Sequence, residues 1–163
     1  MFVIAVDFDG TIVDHCYPWI GEPVPGAFLW LKKFQQAGAK LILWTMRSDN
    51  DNDGPTLTDA VEFCESQGIE FLGVNENPTQ GSWTTSPKAY ANLYIDDAAF
   101  GVPLRDNPRM GGRDFVDWGK VGPMVMKLIE LHREEQRVLQ DKLDKLEACH
   151  DRDGRSGKDE KGD

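Results

Sequence analysis

The chain has 163 residues, of which 40% are hydrophobic, and its formal net charge is −10. This length is sufficient for one compact domain with a hydrophobic core and leaves little room for a second. The acidic balance disfavours nonspecific attraction to nucleic acid and to an anionic membrane.

The first apolar segment, Phe2 to Val6, is too short for a signal peptide and lacks a basic flank. No apolar run approaches the ~20 residues that a membrane span requires. The cysteines have wide and irregular spacing, which fits neither a disulfide framework nor a zinc site: Cys16, Cys64 and Cys149. We therefore expect a soluble, cytoplasmic protein with no membrane partner.

Short apolar runs alternate with amphipathic segments along the first hundred residues. Strands are predicted at 2–6, 40–44, 70–74 and 92–95. Helices are predicted over 26–37 and 56–67, ending before Gly38 and Gly68. This alternation is typical of an α/β fold and predicts a Rossmann-like three-layer sandwich with a mostly parallel sheet covered on both faces. Phe115 and Val116 are candidates for a further strand, which gives about five in all.

The carboxyl-terminal region has a different pattern. Pro123 is predicted to open a helix that reaches residue 149, packs on the sheet through Leu128 and Leu131, and then projects into solvent. A coiled-coil seam that joins two copies is the alternative, but Glu135 and Lys142 occupy positions where a heptad requires apolar groups.

These patterns divide the chain into three parts. A main domain is expected over residues 1–121, and a helix over 122–149. Residues 150–163 contain no apolar side chain, which predicts a disordered charged tail.

Three of the predicted strands are followed directly by residues whose side chains can react or bind ligands. Asp7 follows the first strand, Thr45 follows the second, and Asp96 with Asp97 follows the fourth. The carboxyl ends of parallel strands lie along one edge of a sheet, where open α/β sheets usually bind ligands. We therefore expect these side chains to converge.

The acidic residues indicate a metal-assisted reaction. Side chains two apart at a strand end, such as Asp7 and Asp9, point to the same side about 6 to 7 Å apart, so one can attack a group while the other exchanges a proton with it. Asp96 and Asp97 would add negative charge there, and a cation would offset the repulsion. Hard oxygen ligands suit Mg²⁺.

Neighbouring residues suit phosphate. Gly10 permits a tight turn after the acidic pair, while the hydroxyl of Thr45 and a lysine such as Lys88 can bind phosphate oxygens. Arg47 is either another phosphate contact or one partner of a surface ion pair. Together these groups indicate phosphoryl transfer, in which catalysis consists chiefly of positioning and charge neutralisation.

A polar loop, Asp49 to Gly54, has the beginning of an EF-hand calcium loop. Ala60 stands where that loop requires a bidentate glutamate, and Pro55 follows the loop at once. A loop that caps the next helix is the favoured interpretation.

Four segments resemble the motifs of the haloacid dehalogenase superfamily. Asp7 to Thr11 is similar to its first motif, Leu41 to Thr45 to its second, Lys88 to its third, and Tyr94 to Asp97 to its fourth. The four occur in the family's order after strand-like runs, which makes the resemblance specific. Residues 1–121 are therefore identified as a catalytic domain similar to this superfamily.

The resemblance implies the catalytic roles. Asp7 would be the nucleophile and a metal ligand. Asp9 would protonate the leaving group and then activate water, and its backbone carbonyl would bind Mg²⁺. Asp96 would bind the metal directly, and Asp97 would do so through water or by orienting Lys88. An aspartate at position 9 is typical of the phosphatase branches of the superfamily.

The resemblance also implies the binding residues. Thr45 and Lys88 would hold the phosphoryl oxygens, and Arg47, Gly10 and Thr11 are further candidates for phosphate binding. The superfamily often inserts a cap domain after the first motif or between the second and third, but both segments are short here. We therefore expect a small flap, no large cap domain and an open site.

The expected function is that of a magnesium-dependent phosphomonoester hydrolase that works through an aspartyl-phosphate intermediate, on a small phosphorylated metabolite or nucleotide. One alternative is a phosphatase of nucleic-acid ends or another macromolecule, which the open site would accommodate and the net charge disfavours. The other is an inactive magnesium-binding adaptor that acts through its carboxyl-terminal helix.

Overall fold

The computed structural model describes residues 1–49 and 52–155, with side chains described as far as residue 148. The main sheet is made of four parallel strands: β1 (Val3–Val6), β2 (Lys40–Leu43), β3 (Phe71–Val74) and β4 (Leu93–Ile95). Their order in the sheet is β3-β2-β1-β4. The four predicted runs, the parallel sheet and the α/β class are confirmed.

The predicted fifth strand of this sheet is wrong. Residues 104–105 form β5 (Leu104–Arg105), and 115–116 form β6 (Phe115–Val116). These two strands pair antiparallel with each other in a separate sheet. The backbone N–H of Val116 also donates to the carbonyl of Gly10 at 2.9 Å. The short strand therefore pairs with β5 and with the loop after β1, and the main sheet has four strands in the described part of the chain.

The first two helices lie where the sequence predicts them. They are α1 (Ala27–Gln36) and α2 (Thr56–Ser66). Gly38 and Gly68 follow them with positive φ angles of 86° and 80°, the left-handed conformation that commonly terminates helices.

The polar loop before α2 caps that helix. The carboxylate of Asp49 accepts hydrogen bonds from the backbone N–H groups of Leu57 and Thr58, both at 2.9 Å, and from the Thr58 hydroxyl at 2.7 Å. These N–H groups lie in the first turn, where the helix has no internal acceptor for them. The capping interpretation is confirmed for Asp49; residues 50 and 51 of the loop lie outside the described part.

The last helix, α3 (Trp118–Arg155), begins before the predicted start at Pro123. The carbonyl of Asp117 accepts hydrogen bonds from the N–H groups of Lys120 and Val121, so the first turn forms ahead of the proline. Residues 150–155 of the predicted tail belong to this helix, and residues 156–163 lie outside the described part. No helix found in the described residues combines the length and the apolar character that crossing a membrane requires.

The face of α3 that packs on the core differs from the prediction. Val121, Val125 and Ile129 are buried, whereas Leu128 and Leu131 are 44% and 51% exposed. Both sets recur at helical spacing, so only the docked orientation distinguishes them. The chain divides into compact units Met1–Ile129 and Glu130–Asp163. The domain boundary expected at residue 121 stays a prediction. The projection of the helix end stays a prediction.

The two faces of the sheet are covered differently. Buried side chains of α1, α2 and α3 share one core cluster with strand residues that point to the same face, namely Ile4, Val6, Leu41 and Leu43. Strand residues that point to the other face pack with side chains from strands and loops, namely Trp44, Leu72, Ala91 and Tyr94. Within the described residues, no helix contributes to this second cluster. The expected helical layers on both faces are therefore wrong for the second face.

The strand order places a crevice beside β1. The chain proceeds from β1 outward through β2 to β3, and β4 then pairs with the opposite side of β1. Ligands bind in open α/β sheets at such a reversal, outside the carboxyl ends of the two central strands. Asp7 continues from β1 and its N–H donates to the carbonyl of Ile95 in β4 at 2.9 Å.

Candidate active site

An acidic cluster occupies the crevice between the ends of β1 and β4. Asp7, Asp96 and Asp97 each offer a carboxylate oxygen, and these oxygens lie within 4.8 Å of one another. All three residues are partly buried. The predicted convergence of these aspartates is confirmed, although Asp7 lies far from Asp96 and Asp97 in the sequence.

Thr11 connects the two sides of this cluster. Its hydroxyl donates to Oδ2 of Asp7 at 3.2 Å and accepts from the backbone N–H of Asp97 at 3.1 Å. The residue is fully buried. Thr11 therefore supports the acidic side chains from within the protein, and its hydroxyl is already committed to them.

Gly10 allows the loop after β1 to pass close to the cluster. Its φ is +82°, and a Cβ at this position would lie 2.3 Å from Nε2 of His15 and 2.8 Å from Cγ of Asp97. A larger residue would therefore be strained in its backbone and would displace both side chains. The predicted tight turn at Gly10 is confirmed.

The electrostatics of the cluster favour a cation. Burial raises the pKa of the Asp7 carboxyl from 3.8 to about 7, and the negative charges of Asp96 and Asp97 add to the rise. Hydrogen bonds from the Phe8 backbone and the Thr11 side chain lower this pKa, but by less than burial and the neighbouring charges raise it. A divalent ion among these oxygens would supply the positive charge that holds Asp7 ionised. The donor set therefore fits a hard metal ion.

Two further side chains surround Asp97. Nε2 of His15 lies 3.1 Å from Oδ2 of Asp97, and Nη2 of Arg113 lies 3.8 Å from the same oxygen. His15 belongs to the predicted flap, whereas Arg113 precedes β6 and is 73% exposed. Neither stood among the predicted site residues, because only the folded loops bring them to the end of β4.

The Asp9 carboxylate is paired with the guanidinium of Arg47. Nε of Arg47 donates to Oδ2 of Asp9, and Nη2 donates to Oδ1, both at 2.8 Å. The Arg47 side chain is 1% exposed and that of Asp9 is 20% exposed. Arg47 therefore forms an ion pair with an acidic neighbour, but the pair lies inside the protein and its acid is the predicted proton-exchanging residue.

Thr45 is held at the end of β2 by a residue that the sequence did not single out. The N–H of Thr45 donates to Oδ1 of Asn75 at 2.8 Å, and Nδ2 of Asn75 donates back to the Thr45 carbonyl at 2.9 Å. The Thr45 hydroxyl oxygen accepts a hydrogen bond from the N–H of Arg47 at 3.2 Å. This bond does not use the hydroxyl hydrogen of Thr45.

The sequence position of Asn75 could have identified it as a site residue. It directly follows β3, as Asp7 follows β1 and Thr45 comes just after β2, so the polar residue at the third strand end belonged to the same pattern. Its φ is 55°, a left-handed conformation that asparagine adopts more readily than most residues. Its side-chain amide supplies the hydrogen bonds that a neighbouring strand would otherwise make to the backbone of Thr45.

Lys88 is not brought to the acidic cluster by any contact in the described structure. It is exposed and borders a cavity of about 260 Å³ whose wall includes Trp83, Tyr90 and Tyr94. The backbone N–H of Lys88 donates to the Ser86 hydroxyl at 3.2 Å, which fixes the loop but leaves the ammonium in solvent. Its assignment to the third motif stays a prediction.

The segment between Gly10 and α1, where a small flap is expected and which we call the flap, is held by backbone pairing. Bridges join Asp9 to Val13 and Val13 to Pro23, and Asp14 N–H donates to the Glu22 carbonyl at 2.8 Å. Nδ2 of Asn107, in the loop between β5 and β6, donates to Oδ1 of Asp14 at 2.9 Å. The flap is therefore tied down at its base by β6 and the loop before it.

Comparison with known proteins identifies a relative of this chain. No family model matches the sequence, and no curated protein does so significantly. Among solved structures, a conserved protein from Bacteroides thetaiotaomicron is 39% identical; the match covers 77% of this chain and 89% of that one, with a TM-score of 0.58. The chain belongs to the same family as this conserved protein. At that identity the two share their fold, and the chemistry has to be argued from the site.

Proposed function

We propose that this protein is a metal-dependent phosphomonoester hydrolase of the haloacid dehalogenase type, with Mg²⁺ as its metal and a cytoplasmic site of action. The observation that carries the proposal is the meeting of Asp7, Asp96 and Asp97 at the switch point of the sheet, with carboxylate oxygens within 4.8 Å of one another. Clustered carboxylates at a ligand-binding crevice, one with a strongly raised pKa, are typical of catalytic centres.

The reaction would proceed in two displacements at phosphorus. An oxygen of the Asp7 carboxylate attacks the phosphorus, and the bond to the leaving oxygen breaks while that oxygen takes a proton from Asp9. A water molecule then attacks the phosphorus of the aspartyl-phosphate and gives a proton to Asp9. Phosphate leaves, and both carboxyl groups return to their starting states.

The remaining residues position these groups. The Thr45 hydroxyl, with a hydrogen available for donation, would bind a phosphoryl oxygen beside Asp7, while Asn75 holds the Thr45 backbone in place. Thr11 orients Asp7 through the 3.2 Å hydrogen bond to Oδ2. Lys88 would complete the phosphate site if its loop moved toward the crevice when substrate binds.

Asp7, Asp96 and Asp97 would hold the metal, together with the backbone carbonyl of Asp9. The bound ion would neutralise charge on the phosphoryl group and on Asp7. Magnesium is proposed over softer metals because the available donors are all oxygens.

The form of the site supports a substrate that reaches it from solvent. The flap between Gly10 and α1 is short, and the 11 residues of α2 lie in the segment from β2 to β3. A small phosphorylated metabolite or nucleotide is the proposed substrate. The net charge of −10 gives no general attraction toward nucleic-acid ends.

The proposal is tested with a chromogenic phosphate ester and Mg²⁺. Asp7→Asn should lower turnover by several powers of ten, because no neighbouring group replaces the nucleophile. Glu62→Gln, on the exposed side of α2, is the matched control and should retain full turnover. After a single turnover in water enriched in heavy oxygen, the label should appear in the released phosphate and not in the Asp7 carboxyl, because water attacks phosphorus.

Two results would contradict the proposal. Turnover by Asp7→Asn at the parental rate would exclude Asp7 as nucleophile. Absence of turnover by the parent protein with a panel of phosphorylated metabolites and phosphate-ended oligonucleotides would favour the adaptor function, for which the exposed leucines of α3 are the relevant surface.

A further inference from the structure

The buried guanidinium of Arg47 contacts two different parts of the protein at once. Beyond its paired bonds to Asp9, Nη1 donates to the carbonyl of Pro18 at 3.0 Å and Nη2 donates to the carbonyl of Trp19 at 2.9 Å. The group also lies over two aromatic rings, 4.8 Å from the Phe8 centroid and 5.3 Å from the Tyr17 centroid. Arg47 therefore joins the loop after β1, the loop after β2 and the tip of the flap.

We propose that Arg47 is a positioning residue that fixes the carboxylate of Asp9 and couples its placement to closure of the flap. The acid–base role of Asp9 in this statement rests on the proposed function, whereas the coupling of Asp9 to the flap rests on the hydrogen bonds alone. Arg47 is then a latch between the flap and the site, and it is not a contact to substrate phosphate.

The geometry of the guanidinium supports this role. Most of its N–H groups are directed at Asp9, Pro18 and Trp19, so little of its donor capacity remains for a phosphoryl group. The side chain is 1% exposed, and a phosphate could reach it only after the flap had moved. A planar fork that grips both oxygens of Asp9 also fixes the plane of that carboxylate, which a lysine ammonium cannot do.

The same geometry predicts what is lost without Arg47. The Asp9 carboxylate would lose both of its bonds to the guanidinium, and the carbonyls of Pro18 and Trp19 would lose their donor. Asp9 would then rotate more freely and the flap tip would open more often. Both effects arise from loss of the same contact, so substitution of either Arg47 or Asp9 should loosen the flap.

A leaving-group series tests the positioning of Asp9. An alkyl phosphate needs a proton on its leaving oxygen, whereas a nitrophenyl phosphate needs it much less. Arg47→Lys should lower kcat about tenfold to a hundredfold for the alkyl ester and only about threefold for the nitrophenyl ester, with similar KM values. Arg133→Lys, at an exposed position of α3, is the matched control and should leave both esters unaffected.

Hydrogen exchange tests the latch without any reference to activity. Amides in residues 14–22 should exchange faster in Arg47→Lys and in Asp9→Asn than in the parent, while amides of β1 and β2 keep their protection. The double variant should exchange no faster than the Arg47→Lys variant, because the two substitutions break the same contact. Retained protection of the strands would show that these variants are folded.

The outcomes separate the possibilities. A rise in KM of the same size for both esters, with kcat and flap exchange unchanged, would overturn the proposal and make Arg47 a phosphate contact. Unchanged flap exchange in both single variants would overturn the latch even if kcat fell. If the parent protein turned over no phosphate ester, the proposed function would fail, and the exchange experiment would still decide whether Arg47 holds the flap.

Discussion

The indole nitrogen of Trp118 donates a hydrogen bond of 2.7 Å to the backbone carbonyl of Thr11, which lies 107 positions earlier in the chain. Trp118 is buried at the start of α3, and its ring lies 6.2 Å from that of Phe34 in α1. The beginning of the last helix thus holds the loop after β1, which contains Asp7 and Asp9.

Replacing Trp118 by phenylalanine should test this support. The substitution retains an aromatic ring but leaves the buried Thr11 carbonyl without its donor, so we expect the free energy of unfolding to fall by about 1 to 3 kcal/mol from the lost bond, with some further loss of packing. Urea denaturation measures the change. Trp83→Phe, at a side chain 63% exposed, is the control and should have little effect; equal losses in both variants would contradict the role of the bond.

Metal binding should change the thermal stability in a way that depends on the acidic cluster. We expect Mg²⁺ to raise the Tm of the parent protein, because the ion binds the folded cluster and not the unfolded chain. Asp96→Asn should show a smaller rise and a weaker Mg²⁺ affinity by calorimetry. In metal-free buffer it should be at least as stable as the parent, since one of the repelling charges is gone.

Glu62→Gln removes a charge from α2, away from the cluster, and is the matched control for that experiment. It should respond to Mg²⁺ as the parent does. An equal rise in Tm for the parent and for Asp96→Asn would show that the ion binds elsewhere.

The raised pKa of Asp7 predicts a pH dependence of stability in the metal-free protein. Its pKa is 3.8 as an ordinary carboxyl and about 7 in the folded site, so between these values the folded state holds a proton that the unfolded state has released. Stability should therefore fall as the pH rises from about 4 to 7, at up to about 1.4 kcal/mol per pH unit for this group.

Asp7→Asn removes the titrating group and should flatten this part of the profile. Chemical denaturation at a series of pH values in the presence of a chelator measures both proteins. The comparison concerns the difference between the two profiles, because the other titrating groups are common to both. A difference that is constant across the range would contradict the raised pKa of Asp7.

The leucines in the second half of α3 provide a test of association. Leu139, Leu143 and Leu146 are 52%, 45% and 67% exposed. If the helix stands in solvent, replacing each by glutamine should change the free energy of unfolding by no more than about 0.5 kcal/mol. Light scattering measures the mass of the parent and of the triple variant. A mass that falls to half in the variant would instead support the coiled-coil seam.

The strands, the first two helices and the acidic residues of the cluster could be predicted from the sequence because their signals are local. Short apolar runs ending at Asp7 and Asp96 identify strands and their carboxyl ends without any knowledge of distant contacts. The rule that parallel strands share one edge then brings these residues together.

The remaining features were decided by tertiary structure, because they depend on residues far apart in the chain. Arg47 and Asp9 are 38 positions apart, and nothing near Arg47 distinguishes a buried ion pair from a phosphate contact. Asn75 can bond the backbone of Thr45 only when β3 lies beside β2. Val125 is buried and Leu128 is exposed only because of the orientation in which α3 packs on the core. Local sequence determines which elements form and where their polar ends lie, whereas the packing of these elements determines which side chains meet there.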